Sequence, residues 1–361
     1  MLINYGICYF GIEFDCIRKT KRQHLKNVTI YEIAEAAGVS ASTVSRVIND
    51  KPGVKKATKK RVLECLEEHH FSPNETARGL VNQSSKMIGI LISDMRTTHH
   101  TDGIYYIQRE FSRLGYGCLI MNTGHNDEDR AQYIQQMNQR RVEAAVLIGS
   151  TFQSGLVKDA IEQYMPKIPI IIANGYIDLP NVYGVIADEQ GGTEKCVDLL
   201  RRRGYRYPAF AANRETPSNL LKIQGFRDGV RRCFPGQEPV VLITGSEQQE
   251  IESALGQLFE EHPQTDSVVF SEDPMAALCI RALHDRGIDV PTQVGVIGIN
   301  NSFVAEICNP SLTSLDNMLL DLSVTAARNL IDVLQGRHVV KKMMVYSRLI
   351  ERESTQKEKP V

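Results

Sequence analysis

The stretch VSASTVSRVINDKPGV, from Val39 to Val54, decides how this chain is read. Val44, Val47 and Ile48 fall at i, i+3 and i+4, the spacing of one helical face. Ser40 stands just before that face, where a hydroxyl caps free amides of the first turn. The opposite face carries Ala41, Ser42, Ser45 and Arg46, with Thr43 beside them. Small hydroxyl side chains and one guanidinium make a poor core. They make a good surface against a polar, negatively charged partner. Lys51-Pro52-Gly53 then reads as a turn.

Upstream, Thr29-Ile30-Tyr31-Glu32 has the form of a capping box, with Ile33 and Ala37 on one face of the helix that follows. Gly38 ends that helix, because glycine turns there without steric cost. Downstream, Thr58 is expected to start a third helix, with Val62 and Leu66 inward and Lys59 and Lys60 outward. Two short helices joined at a glycine and braced by a third form a helix-turn-helix. In such a unit, small hydroxyl residues let the second helix approach the major groove closely. Ser and Thr bond phosphates or base edges, and Arg46 reaches guanine or phosphate. A plain helical bundle with a solvated face does not account for the order of cap, glycine, second cap and arginine.

Charge supports a polyanion at this end only. Residues 1–86 hold 14 Lys/Arg against 9 Asp/Glu, a net of +5; residues 87–361 hold 28 against 34, a net of −6. The eight cysteines are scattered, without C-x-x-C or a nearby His at ligand spacing. Reduced thiols are expected, with no disulfide framework, metal or cofactor. The opening MLINYGICYFGIEF lacks a basic start and a small-residue cleavage site, and it is too short to span a bilayer. Residues 1–26 are read as an unstructured extension or as a start assigned too far upstream.

The rest alternates short apolar runs with amphipathic stretches. The runs include MIGILIS, GCLIMNT, AAVLIG, IPIIIAN, PVVLIT, SVVFSE and VGVIGIN; helices are expected at 127–141, 190–203, 218–232 and 274–286. This is the pattern of a parallel α/β fold in two sheet subdomains. No G-x-S-x-G elbow, P-loop or H-E-x-x-H is present, so nothing points to catalysis.

VTIYEIAEAAGVSASTVSRVIND closely resembles the headpiece of the lactose-repressor (LacI/GalR) family of bacterial transcription regulators. FSPNETARGLVNQSS resembles that family's hinge, and the likeness continues over roughly 27–353. It implies an all-α headpiece at 27–73, a hinge at 74–85 and a periplasmic-binding-protein-like effector domain at 86–353. The last comprises one subdomain at 86–187 and 315–336 and another at 188–314 and 337–353. Crossings are placed near Ala187, Ser314 and Gly336, and 354–361 is a charged tail. DNA contacts are implied for Thr29, Ser40, Ala41, Ser42, Thr43, Ser45, Arg46 and Asn49, and for Ala77, Arg78 and Leu80 of the hinge. Leu80 would be the wedge between base steps. Gly79 weakens the hinge helix by about 1 kcal/mol relative to alanine, which suits folding on DNA. His70 departs from the family's usual glycine.

Ligand contacts are implied at strand ends, where such folds bind. The candidates are Asp94, His99, His100, Asn174, Asp188, Lys222, Asp273 and Asn300. Thr97-Thr98-His99-His100 stands where the family shows Asn-Pro-Phe-Phe, and Lys222 replaces an arginine that forks onto hydroxyls. Asn300-Asn301 replaces two acids. Gained imidazoles and lost carboxylates suggest a cleft adapted to an anionic or phosphorylated sugar. The resemblance implies a cytoplasmic, nucleoid-associated repressor, dimeric or tetrameric, on a palindromic operator, with a sugar-type effector. An exported sugar receptor, an enzyme and an activator are the competing readings. The first predicts a signal peptide and no headpiece.

Overall fold

The computed structural model describes residues 28–48, 51–69, 71 and 85–357. The readings of the 1–26 extension, Asn49, His70, Ala77, Arg78, Gly79, Leu80 and the end of the tail concern residues outside these. The chain divides into two compact units, Met1–Gln83 and Ser84–Val361.

The first unit holds α1 (Ile30–Ala36), α2 (Ala41–Ile48) and α3 (Lys56–Glu68). Both halves of the capping box form. Thr29 Oγ1 accepts from the Glu32 amide at 3.3 Å, and the Glu32 carboxylate accepts from the Thr29 amide at 2.6 Å. Gly38 takes φ +62°, the left-handed turn that glycine adopts freely. Ser40 Oγ accepts from the Thr43 amide at 3.2 Å and caps α2. Ile33, Ala37, Val44, Val47 and Val62 close a small core. Two details differ from the sequence reading. Helix α3 starts at Lys56 rather than Thr58, after an exposed Lys55 that makes no side-chain cap. Cys65 takes the buried place beside Val62, while Leu66 is only partly covered.

The second unit contains two six-stranded sheets. The first runs β1 (Met87–Ile92), α4 (Thr98–Ser112), β2 (Gly117–Asn122), α5 (Asp127–Gln139), β3 (Ala144–Ile148), α6 (Gly155–Tyr164), β4 (Ile170–Ala173) and β5 (Val182–Ala187). The second runs α7 (Glu189–Arg202), β6 (Pro208–Ala212), α8 (Pro217–Cys233), β7 (Val240–Ile243), α9 (Gln248–Glu261), β8 (Ser267–Phe270), α10 (Asp273–Asp285), β9 (Gly295–Ile299), α11 (Phe303–Ile307) and β10 (Thr313–Asp316). Then come α12 (Leu319–Leu334), β11 (Lys342–Val345) and β12 (Arg348–Ile350). Sheet orders are β11-β5-β4-β3-β1-β2 and β12-β10-β9-β8-β6-β7. All pairs are parallel except β10 with β12, which is antiparallel.

Both faces of each sheet are covered, which is why these strands are nearly continuous apolar runs. In β1, Ile88, Ile90 and Ile92 enter one core and Leu91 the other, by the two-residue period of a strand. Each such side chain contributes about 1.5–3 kcal/mol on burial.

The chain crosses between sheets after Ala187, at Asn317-Met318 and at Tyr346-Ser347. The first crossing lies where the sequence placed it. The second falls beyond Ser314, because β10 pairs with β9 through Leu315. The third is not at Gly336: that glycine, at φ +73°, only ends α12. Strand β11 still hydrogen-bonds to β5 of the first sheet, so 337–345 belongs there. Residues 354 and 355 are likewise no tail. Ser354 Oγ accepts from the Thr313 amide at 2.9 Å and donates to the Val296 carbonyl at 2.6 Å, and both residues are fully buried. Buried backbone groups of β9 and β10 need those partners. Among the described residues, no helix is long and apolar enough to cross a membrane.

Candidate functional site

On the headpiece, α2 shows a cluster of linked hydroxyls. Ser40 Oγ lies 2.8 Å from Ser42 Oγ and 2.9 Å from Thr43 Oγ1. Ser40, Ser42 and Arg46 are exposed, and Thr43 and Ser45 are half-buried. Ala41 was placed on this outer face; the structure instead half-buries it against the headpiece core. Arg46 lies along the turn at Gly53, where a Cβ would come within 3.5 Å of its Nη1. Thr29 is exposed, with its hydroxyl engaged in the capping box.

In the second unit, every expected ligand residue lies just beyond a strand or on the helix that follows. The structure shows how most of them are already engaged. Lys222, on α8, is buried. Its Nζ donates to Asn219 Oδ1 at 3.3 Å and the Ser271 carbonyl at 3.2 Å, and lies 3.7 Å from the Glu189 carboxylate. Glu189, also buried, accepts from Ser218 Oγ at 2.5 Å and Asn174 Nδ2 at 3.2 Å. Asn174, at φ +66° after β4, accepts from the Ala187 amide at 3.1 Å. Asp188 caps α7 by accepting from the Gly191 amide at 3.0 Å. Asn300, at φ +103°, accepts from Asn317 Nδ2 at 3.1 Å.

Asp94 is gripped by Arg96 through Nε at 3.0 Å and Nη2 at 2.7 Å. That guanidinium holds its carboxyl well below the usual carboxylate range. Asp273 is fully buried: its carboxylate accepts from the Ser302 amide at 2.6 Å and from Ser314 Oγ. Burial pushes this acid up to about 6. Its neighbour Glu272 is half-buried and accepts from Asn213 Nδ2 at 3.3 Å.

The two imidazoles lie in the first turn of α4, just past the strand end at which the sequence placed them. Burial depresses His99 to about 3, with the nearby His100 and Lys222 adding to the effect. Burial also lowers His100. His100 Nδ1 sits 2.9 Å from the Asp94 carbonyl. A carbonyl only accepts, so in the neutral ring Nδ1 carries the proton and Nε2 the lone pair. That Nε2 lies beside Gly149.

These charges count against the anion-adapted cleft. The ammonium of Lys222 is matched by Glu189, the imidazoles are neutral at pH 7, and two carboxylates unnoticed in the sequence line the site. Glu189 and Glu272 each adjoin an acid that was noticed, Asp188 and Asp273. Their place at the first residues after strands was the signal available. Contacts also bridge the two subdomains. The Ser218 amide donates to Ser150 Oγ at 3.0 Å, and Arg214 Nη1 lies 3.0 Å from His125 Nδ1.

Residues 29–74 match the model for bacterial regulatory proteins of the lacI family, and 197–355 that for a periplasmic binding protein-like domain. An HTH-type transcriptional regulator of Lachnoclostridium phytofermentans is 31% identical over 91% of this chain and 99% of its own length. Among solved structures, the Lac repressor dimer bound to operator and the anti-inducer ONPF superposes with a TM-score of 0.83 at 22% identity, over 91% of this chain and 99% of that one. The transcriptional regulator CelR in complex with cellobiose matches at a TM-score of 0.66 and 22% identity, with coverage of 91% and 99%. The chain therefore belongs to the lacI family of bacterial regulatory proteins and is a DNA-binding transcription regulator, not an enzyme.

Proposed function

We propose that this regulator is a cytoplasmic repressor that binds a palindromic operator as a homodimer, and that a small carbohydrate-type ligand in its cleft changes operator affinity. The single observation that carries the reading is the cleft of the second unit. Two sheets joined by three crossings meet through direct contacts from Ser150, Asn174 and His125 on one side to Ser218, Glu189 and Arg214 on the other. A ligand that favours one arrangement of these walls shifts the population, and the crossings carry that shift along the chain. The bound states named for the matched structures, operator with anti-inducer and cellobiose, support the same pairing of DNA and sugar.

On the headpiece, Thr29, Ser40, Ser42, Thr43, Ser45 and Arg46, with Asn49, are proposed to meet the major groove. Ala77 and Leu80 are proposed to meet the minor groove, and Arg78 to contact the DNA beside them. One headpiece reads a half-site, so a two-fold dimer on a palindrome follows. The test is selection of bound sequences from random duplex DNA by the full-length protein. A pair of inverted half-sites is the expected product. Enrichment of a single unrepeated motif would count against the dimer, and no enrichment against sequence-specific binding.

A further inference from the structure

The cleft contains a carboxylate without a cation. Lys222 is matched by Glu189 at 3.7 Å, and Asp94 is gripped by Arg96 at 2.7 Å. Glu272 has its hydrogen bond from Asn213 and makes no ion pair among the described residues. It stands at the start of α10, on the wall built by the second sheet. On the opposite wall stands His100, and the two walls meet here: Arg214, next to Asn213, lies 3.0 Å from His125 Nδ1, and His125 Nε2 lies 3.5 Å from the carboxylate of Asp94, whose carbonyl holds His100.

His100 presents an acceptor there. Its Nδ1 proton is committed to the Asp94 carbonyl, which leaves the Nε2 lone pair free. Gly149 makes the room: a Cβ at that position would approach Nε2 to 3.4 Å. Beside it, His99 Nδ1 is shut away from solvent and meets no partner among the described residues. A carboxylate and an imidazole lone pair are both acceptors. A phosphate or carboxylate would meet like charge and opposed lone pairs, whereas an ammonium, with three N–H donors, satisfies both groups.

We propose that the effector of this cleft is an amine-bearing polyol, its ammonium held between the Glu272 carboxylate and His100 Nε2. A hydroxyl of the same ligand serves His99 Nδ1. The proposal rests on the reading of the cleft as the ligand site.

Calorimetric titration of the full-length protein with matched sets tests it: glucose, glucosamine and glucose 6-phosphate, and the corresponding galactose and mannose series. In at least one series the amine is expected to bind about tenfold or more tightly than its neutral parent, the advantage of one charge-assisted hydrogen bond. The phosphate should not bind. Glu272→Gln should abolish the advantage of the amine in that series. The wild-type comparison decides the matter even where the variant folds poorly. A neutral sugar that binds as well as its amine, or a phosphate that binds best, overturns the amine and leaves a sugar-responsive regulator. A wild-type protein that binds no member of any series overturns both readings.

Discussion

Asp273 and Lys222 show what burial does to single charged groups. Asp273 is buried in a site that holds its acid up at about 6, above its ordinary 3.8. Between those values the folded protein keeps a proton that the unfolded chain has lost. Stability from this group therefore falls as pH rises from about 4 to about 6, by at most about 3 kcal/mol, and is flat above. Asp273→Asn should remove that decline, as seen in urea denaturation of both proteins across this range. Parallel curves would show that the site does not bind the proton. Lys222→Met leaves the Glu189 charge buried alone and should cost about 3 kcal/mol. Adding Glu189→Gln should recover much of that loss, and a further loss in the double variant would count against the pair. On the headpiece, Arg46→Ala should weaken binding to the selected operator by about 1–3 kcal/mol, as measured by fluorescence anisotropy. Unchanged affinity would remove Arg46 from the groove.

At the scale of elements, α7 and α8 lie closer than ordinary side chains permit. A Cβ at Gly225 would run into the carbonyl oxygen of Gln190, and one at Gly229 would press on Val197. Because backbone cannot give way as a flexible side chain can, Gly225→Ala should destabilise by about 1–3 kcal/mol despite alanine's better helix propensity. Thermal unfolding measures this, and a raised melting temperature would refute the close packing. The headpiece helices were legible because their signals are local. The capping box spans four residues, Gly38 sits at the turn it makes, and Val44 and Val47 sit one turn apart. Helix α4 was not legible at its start, since Thr98-His99-His100 carries no strong cap or apolar stripe.

At the scale of the whole second unit, the bridging contacts predict a coupling between closure and binding. Ser150→Ala combined with Arg214→Ala removes the acceptor for the Ser218 amide and the partner of His125. The open arrangement should then gain population. Ligand affinity should fall about tenfold, and small-angle scattering of the full chain should show a larger radius of gyration. Identical scattering with unchanged affinity would mean that these contacts do not hold the walls together.

The sequence by itself determined the helix-turn-helix, the alternating α/β body and the strand ends that line the cleft. Each follows from short-range periodicity, caps and turn residues. Tertiary structure alone decided the third crossing, because whether 342–345 pairs with β5 or with β10 depends on partners more than 150 residues away for β5 and about 30 for β10. It also decided the charge of the cleft. Lysine, histidine and asparagine looked like an anion site in the chain, but charge in a fold depends on what lies within a few ångströms. Glu189 beside Lys222, burial around His99 and the unmatched carboxylate of Glu272 took away the expected excess of positive charge.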